Sequence, residues 1–332
     1  MKLGLYTAIF HDRPLSAALD VVADVGLDGV ELNTGGFLPP VHIPQINSIL
    51  SSNAARDDFL EQFAAVDLEI LGLNCNGNPL HPNPVIGAKH GLDVYRSIDL
   101  AHRLGQHRVV TMSGLPGGEP GASFPSWIVN AWNSAHLDVL DYQWAIAEKY
   151  WSDVDAYARD RDVFVALELH PQNIVFNPSS MRELVSRVGS THLGVELDAS
   201  HLFWQQMDPV QVVKNLGPLV VHAAAKDVRI NAHVAVDGVL DNSFRRMLPE
   251  ENRINLGGNE WVNEWPNPSS WDFVAVGRGH DVEFWAEFLR ELCAVDPHMI
   301  VNIEHEDLEL SPEQGVRVAA ETLHRARELS GV

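Results

Sequence analysis

Cysteine is scarce in this chain, and so are positive charges. Only Cys75 and Cys293 occur, far apart and without the spacing of metal ligands, which argues against a disulfide framework or a zinc knuckle. Lysine and arginine number 23 against 45 aspartates and glutamates, and the net charge of -22 repels nucleic-acid backbones and anionic membrane surfaces. We therefore expect no nucleic-acid partner, and the low cysteine content suits a reducing cytoplasm.

Long apolar runs are also missing. No stretch reaches the roughly 20 apolar residues that a transmembrane helix needs. The first residues, Met1-Lys-Leu-Gly-Leu-Tyr6, enter a strand-like run without the apolar core and small residues of a signal peptide. We therefore expect no membrane attachment and a cytoplasmic location. With 332 residues, 45% of them hydrophobic, the chain can instead bury one large core.

Short apolar runs alternate along the chain with segments of helical periodicity. The first unit is a strand from Leu3 to Ile9 with a helix from Leu15 to Val25, and the last is a strand at Met299 with a helix from Pro312 to Leu329. We count eight strand-then-helix units, which predict parallel strands joined by crossover helices. The predicted fold is α/β, one (β/α)8 TIM barrel over residues 1–332.

One segment, residues 228–280 after the seventh strand, interrupts this alternation. It is too long for a simple connection, and such long loops in compact domains are usually functional. Trp261, Trp265 and Trp271 lie in it among Asn, Gly and Pro. Two interpretations stay open: the tryptophans bury the segment against the barrel, or they form a platform for a sugar or an aromatic ligand.

The last four predicted strands end in ionisable side chains. In Val163-Phe-Val-Ala-Leu-Glu-Leu-His-Pro171, side chains alternate between faces, so Glu168 and His170 point the same way. The ionisable residues at these strand ends are, in chain order, Glu168, His170, Asp198, His201, His222, Lys226 and Glu304. Strands that deliver such groups at their C-terminal ends are typical of the active face of a parallel barrel.

Three of these residues are carboxylates that would converge: Glu168, Asp198 and Glu304. Carboxylates held close together repel unless a cation or protons neutralise them. A divalent metal would do so, and oxygen-rich ligation with one or two imidazoles favours Mn2+, Mg2+ or Co2+ over a structural zinc. The alternative is a polar barrel edge without a metal, because acidic strand ends are common in barrels.

The sequence resembles the xylose-isomerase-like barrels, which include sugar-phosphate isomerases and epimerases, ketose 3-epimerases and inosose dehydratase. The resemblance runs along most of the chain. It is sharpest in Leu167-Glu-Leu-His-Pro171, Leu197-Asp-Ala-Ser-His-Leu-Phe-Trp204, His222-Ala-Ala-Ala-Lys-Asp227, Gly277-Arg-Gly-His-Asp281 and Ile303-Glu-His-Glu-Asp307. In such enzymes Glu, Asp, His and Glu on the fifth to eighth strands bind the metal. The resemblance thus implies Glu168, Asp198 and Glu304 as ligands, with Mn2+ as the expected ion.

The seventh strand departs from the family pattern. That pattern commonly reads His-x-His-x-Lys-Asp, with the second histidine on the metal, and Ala224 stands at that position here. His222 points to the same face but lies one layer deeper, about 6 to 7 Å down the strand. The fourth ligand stays open between a shifted His222, His201, water and a substrate oxygen. Weak or lost metal binding is a further alternative.

The chemistry that such a site suits is removal of a proton α to a carbonyl, giving an ene-diolate that collapses to an isomer, an epimer or an elimination product. We assign His170 as the acid/base group beside Glu168 and Glu304; alternatively, His170 only orients Glu168 through a hydrogen bond. The residues assigned to substrate hydroxyls or to developing negative charge are His201, Lys226, Arg229 and His280.

A narrower resemblance concerns the tryptophan-bearing insertion and the altered seventh strand. Both look like the larger subunit of bacterial C-glycoside deglycosidases, lyases of 3-oxo-glycosides that work with a small β-rich subunit. The resemblance implies a hetero-complex with a small second subunit. The aromatic residues of the predicted helix 141–160 and the long loop after the seventh strand likewise predict a homo-oligomer or such a hetero-complex. Ala224 also suggests a third alternative, a non-catalytic sugar-binding barrel subunit.

The substrate class follows from charges near the eighth strand. Barrels bind phosphate after the seventh and eighth strands, yet Glu306, Asp307 and Glu309 follow the eighth strand here. Such residues would repel a dianion. We therefore expect a neutral sugar, keto-sugar or glycoside.

Overall fold

Eight parallel strands close into a barrel in this computed structural model, which describes residues 1–247, 255–257, 260–261 and 263–332. The barrel strands are β1 (Lys2–Tyr6), β2 (Gly29–Asn33), β3 (Glu69–Asn74), β4 (Arg108–Met112), β5 (Phe164–Glu168), β6 (Leu193–Asp198), β7 (Val220–Ala225) and β12 (Ile300–Ile303). Each strand pairs with its neighbours in chain order, and β1 closes the barrel against β12. The predicted (β/α)8 fold is confirmed.

Helices connect the strands, as the alternation predicted. They are α1 (Leu15–Asp24), α2 (Ile46–Ser51), α3 (Asn53–Ala64), α4 (Pro84–Leu104), α5 (Ser134–Arg159), α6 (Pro178–Val188), α7 (Ala199–Phe203), α8 (Pro209–Leu216), α9 (Val234–Asp237), α10 (Val282–Val295) and α11 (Pro312–Ser330). Short 3-10 turns cover Thr7–Phe10 and Gly217–Leu219, so the first strand ends earlier than Ile9. Within the described ranges, no helix is both long enough and apolar enough to cross a membrane.

Local signals explain where the longer helices begin and end. The Asn83 side chain accepts a hydrogen bond from the Val85 amide, and Pro84 occupies the first helical position of α4. The helix ends at Gly105, whose φ of +72° favours a residue without a Cβ. In α6, Asn177 and Ser180 form a reciprocal capping box. These caps fix the helices that follow β3 and β5.

The apolar core lies on both sides of the strand wall. Every residue of β2 and β6 is buried, as expected for parallel strands that are covered on both faces. On the outer side, Trp151 of α5 and Trp285 of α10 are completely buried. The Trp151 indole also donates to the Ser113 carbonyl, 3.1 Å away, which ties α5 to the loop after β4.

The segment 228–280 folds back on itself rather than forming a plain loop. Its elements are β8 (Asp227–Ile230), α9, β9 (Asn255–Gly257), β10 (Glu260–Trp261) and β11 (Trp271–Val274). Strands β8 and β11 pair antiparallel, with Trp271 opposite Ile230 and Val274 opposite Asp227. An expected loop thus contains a hairpin-like sheet rooted at the end of β7.

Two of its three tryptophans pack inside the segment, while the side chain of Trp261 lies outside the described part of the chain. The Trp265 indole donates to the Trp271 carbonyl at 3.0 Å, and the Trp271 indole donates to the Val239 carbonyl at 3.1 Å. Trp271 also stacks on Trp204, with ring centroids 5.0 Å apart. These contacts are those expected if the tryptophans bury the segment; a ligand platform stays a prediction.

Candidate metal centre

Strand β5 delivers Glu168 to the C-terminal end of the barrel. Its side chain is 3% exposed, and its Oε2 accepts a hydrogen bond from the Asn76 amide at 2.6 Å. Asn76 lies in the polar loop after β3, so two distant strand ends meet here. The Asn76 side-chain amide orients one carboxylate oxygen and leaves the other, Oε1, facing His201.

Strand β6 ends at Asp198, which also starts the next helix. Its Oδ1 accepts a hydrogen bond from the Ser200 amide at 2.7 Å and so caps the short helix α7. This turn brings His201 back over the strand end, where its Nε2 lies 3.2 Å from Glu168 Oε1 and 3.3 Å from Asp198 Oδ2. The Asp198 Oδ2 atom is buried and has no hydrogen-bond partner.

Strand β12 leads into Glu304, whose amide donates to the Ala225 carbonyl at 3.1 Å. Lys226 joins this carboxylate to Asp198: its Nζ lies 3.5 Å from Glu304 Oε2 and 3.9 Å from Asp198 Oδ2. The ammonium also binds Glu306 Oε1 at 2.6 Å and lies 4.3 Å from the ring centroid of Phe273. One buried lysine therefore connects the carboxylates of β6 and β12.

The protonation of these acids reflects their burial and mutual repulsion. Burial raises the pKa of Asp198 to about 7, with the Lys226 charge opposing and the Glu168 charge adding to the rise. Burial also raises the pKa of Glu304 well above its usual range; Lys226 opposes this, and Glu168 and Asp198 add to it. The acids cannot all ionise at neutral pH unless a further cation joins Lys226.

His170 has a defined tautomer. Its Nδ1 lies 2.6 Å from the Pro171 carbonyl oxygen, and because a carbonyl can only accept, Nδ1 carries the proton. Nε2 therefore presents a lone pair. Burial lowers the pKa of His170 to about 4, and the neighbouring His201 adds to this effect. No described hydrogen bond joins His170 to Glu168, so the contacts favour the base over the orienting role.

The donor set fits a divalent cation. Buried polar atoms without hydrogen-bond partners include Asp198 Oδ2 and both ring nitrogens of His201. Donor atoms of Glu168, His170 and His201 all lie within 4.8 Å of one another. Converging acids with open oxygen and nitrogen donors are the ligands that Mn2+ and related ions take.

His222, the tentative fourth ligand, is engaged elsewhere. It is completely buried, and its Nε2 lies 2.8 Å from Glu31 Oε2, in a polar cluster inside the barrel. Asn302 and Asn74 donate to the same Glu31 carboxylate at 2.7 and 2.8 Å. Glu31 engages Nε2 of His222, whereas its Nδ1 is buried without a hydrogen-bond partner, so His222 as the fourth ligand stays a prediction.

Two of the four residues assigned to the substrate lie in other networks. Arg229 Nη2 pairs with Glu309 at 3.0 Å and Asp272 at 3.3 Å. The His280 ring stacks on Phe203, 3.6 Å between centroids, and its Nδ1 lies 2.7 Å from an oxygen of Asp227. No described contact joins Arg229 or His280 to the three converging carboxylates, whereas His201 and Lys226 touch them directly.

Sequence reasoning missed two residues of the centre. Glu196 is buried, and burial raises its pKa well above the usual range, with Glu168 and Glu304 adding to the rise. It stands two residues before Asp198 and so shares its face of β6, a spacing that could have revealed it. Asn76 was part of a loop that the sequence marks as polar, but only the fold shows that it meets Glu168.

Comparison with known proteins identifies the family. The model of the family described as "Xylose isomerase-like TIM barrel" matches residues 19–326. The chain belongs to this xylose isomerase-like family. The uncharacterized protein YfiH of Bacillus subtilis (strain 168) is 33% identical over 328 residues, which cover 97% of this chain and 98% of that protein.

Solved structures share the fold of this xylose isomerase-like barrel at low sequence identity. The 3-keto-D-glucoside 4-epimerase YcjR from E. coli is 13% identical with a TM-score of 0.63, and 99% of each chain is covered. The IolI protein, solved with a zinc atom bound, is 17% identical with a TM-score of 0.60, again over 99% of each chain.

Proposed function

We propose that this protein is a divalent-metal-dependent enzyme that removes a proton α to the carbonyl of a sugar or keto-sugar, as a sugar isomerase or epimerase. The observation that carries this proposal is the convergence of Glu168, Asp198 and Glu304 on one buried centre with open donor atoms. YcjR, a 3-keto-D-glucoside 4-epimerase with the same fold, agrees with this proposal.

The metal would be held by Glu168, Asp198 and Glu304, with Mn2+ the expected ion and Mg2+ or Co2+ as alternatives. The zinc of IolI supports a divalent ion in this fold without fixing which one. When bound, such an ion polarises a substrate carbonyl as a Lewis acid. A bound cation would favour the ionised forms of Asp198 and Glu304, whose pKa values are raised by burial and by neighbouring carboxylates.

His170 is the base in this proposal. Its Nδ1–H is held by the Pro171 carbonyl, so Nε2 is the atom that takes the α proton. With a pKa of about 4, the imidazole is neutral at pH 7 and ready to accept. Returning the proton to the former carbonyl carbon, while the hydroxyl proton passes between the two oxygens, gives an isomer. An epimer needs a proton from a second acid on the opposite face of the intermediate.

Lys226 supplies positive charge for the intermediate. Its ammonium is buried beside Glu304 and Asp198, where water screens it little. Removal of the α proton leaves negative charge on the carbonyl oxygen, and a fixed ammonium stabilises such charge. The shortest ion pair of Lys226 is with Glu306, which is exposed; Nζ lies 2.6 Å from Oε1.

A neutral substrate agrees with the charges around the centre. Among the residues that the structure describes, three cations on this side are paired with carboxylates: Lys226 with Glu306, Arg229 with Glu309, and Arg278 with Asp307 and Glu309. A phosphate would need a cation free of carboxylates. This pairing supports a free sugar or keto-sugar over a sugar phosphate.

A second candidate is elimination from a 3-oxo-C-glycoside. Ala224 and the folded segment 228–280 favour it, since both resemble C-glycoside deglycosidases. His170 would again take the proton, now from C2, and the enolate would expel the aglycone from C1. In this second candidate function, the chain would work together with a small second subunit.

The decisive experiment compares products. Chelated and Mn2+-reconstituted protein would be incubated with free ketoses, sugar phosphates and a 3-oxo-C-glycoside. Epimers or isomers of neutral sugars, formed only with metal, support the proposal; a free aglycone selects elimination. Turnover confined to sugar phosphates, or equal turnover after chelation, would contradict it.

A single variant distinguishes an enzyme from a non-catalytic sugar-binding subunit. Glu304→Ala should abolish turnover in the enzyme, whereas in a binding subunit it would only weaken sugar binding. Glu69→Ala is the matched control, because Glu69 is exposed at the opposite end of the barrel, where it pairs with Lys2.

A further inference from the structure

We propose that His201 supplies the imidazole ligand that Ala224 cannot, and so completes the metal centre with Glu168, Asp198 and Glu304. This inference rests on the proposed function, because it requires a divalent ion at the centre. It selects His201 from the candidates for the fourth ligand that the sequence left open, in place of the role on substrate hydroxyls.

Ala224 leaves the end of β7 without a side chain that could bind a metal. Strand register places Ala224 directly beside Asp198 of β6 and beside Asn302 of β12. Its methyl group is buried and offers no donor atom. A centre built only from the three carboxylates would therefore lack nitrogen, and its remaining coordination positions would fall to water or substrate.

The distances around His201 match a shared ion. Two ligand atoms at right angles around an ion with bonds of about 2.1 Å lie about 3.0 Å apart. The observed separations from His201 Nε2 are 3.2 Å to Glu168 Oε1 and 3.3 Å to Asp198 Oδ2. Each carboxylate oxygen therefore lies at a distance from His201 Nε2 that two ligands of one ion would have.

The contacts of His201 leave it free for this role. The residue is 3% exposed, yet neither ring nitrogen has a hydrogen-bond partner. A buried polar group without a partner destabilises the fold. A metal bond to Nε2 would satisfy one of these nitrogens, and it would do the same for the open Asp198 Oδ2.

His170 is the rival ligand, and its contacts argue against it. Its donor atoms belong to the same group of close atoms, and its ring lies 4.2 Å from that of His201. However, its Nδ1 is held by the Pro171 carbonyl, and no oxygen of Glu168 or Asp198 lies within an ion-pair distance of its Nε2 in the described contacts. His170→Gln is therefore the matched control.

The test is pulsed electron paramagnetic resonance of the Mn2+-loaded protein, which detects a directly bound nitrogen. Wild type and His170→Gln should both show coupling to one imidazole nitrogen. His201→Gln should lose it, and its Mn2+ dissociation constant should rise by at least the roughly 10- to 100-fold that loss of an outer-shell partner costs. Imidazole added to His201→Ala should restore the coupling, which shows that a folded centre remains.

Different results would contradict the His201 assignment and the proposed function. Nitrogen coupling that persists in His201→Gln, or Mn2+ binding in the wild type without any nitrogen coupling, would overturn the assignment of His201 and leave the proposed function intact. Failure of the wild type to bind Mn2+, Mg2+ or Co2+ would overturn the metal-dependent function itself.

Discussion

Replacing His170 with glutamine tests the assigned base. Glutamine keeps a polar side chain but cannot take a proton at neutral pH. A positioned general base contributes about 10²- to 10⁴-fold to the rate. We therefore expect kcat/KM to fall by this factor, equivalent to about 2.7 to 5.5 kcal/mol of lost transition-state stabilisation. The free energy of unfolding should change little, because the described side-chain contacts of His170 are one hydrogen bond and one ring contact.

The pH profile adds a readout that a merely structural role would not move. With the pKa of His170 lowered to about 4, only about one wild-type molecule in a thousand carries the extra proton at pH 7. The acid limb of kcat/KM should accordingly bend near pH 4, and the variant should lack that bend. His107→Gln, at an exposed histidine just before β4, is the control. A loss of less than tenfold in His170→Gln, with the acid limb unchanged, would refute the assignment.

Three further predictions concern the metal, the insertion and stability. Because burial raises the pKa of metal-free Asp198 to about 7 and raises that of Glu304 as well, Mn2+ must displace protons from these ligands, and its apparent affinity should weaken by about tenfold or more per pH unit below 7; titration calorimetry giving a flat dependence from pH 5 to 8 would contradict this. Trp271→Ala should destabilise the protein toward the lower end of the roughly 3–5 kcal/mol seen for large aromatics, since Trp271 is only half-buried; urea unfolding measures it. Burial lowers the pKa of His90 from 6.5 to about 4, so the unfolded chain binds the proton more readily between these values. The contribution of His90 to the free energy of unfolding should thus be intact above pH 6.5 and decline as the pH falls toward 4. The melting temperature of His90→Gln should therefore fall less steeply across that window than the melting temperature of the wild type.

The barrel was predictable because its signals are local. Strand β7 has apolar residues at five of its six positions, and helix α11 begins and ends close to the predicted Pro312 and Leu329. Short helices were harder to predict: α2 and α7 have only six and five residues, too few to show helical periodicity. The hairpin-like pairing of β8 with β11 joins residues about 40 positions apart, which no local pattern reveals.

The carboxylates of the centre were predictable because each stands at the end of an apolar strand, and parallel strands end on one face. What could not be predicted was which side chains already have partners. His222 pairs with Glu31, 191 positions away in the chain, and Lys226 binds Glu306 across 80 positions. The tautomer of His170 likewise depends on the conformation of Pro171. Such pairings arise from the three-dimensional path of the chain, not from residue type or spacing.

Hydrogen–deuterium exchange at the carbon next to the substrate carbonyl tests the central claim most directly. A neutral ketose or keto-sugar would be incubated in D2O with Mn2+-loaded protein and followed by NMR. We expect deuterium to enter the α position in the loaded wild type, to stop after chelation, and to resume when Mn2+ is restored; Asp198→Asn should show little exchange at any metal concentration. Exchange that continues unchanged after complete removal of divalent metal would contradict the account.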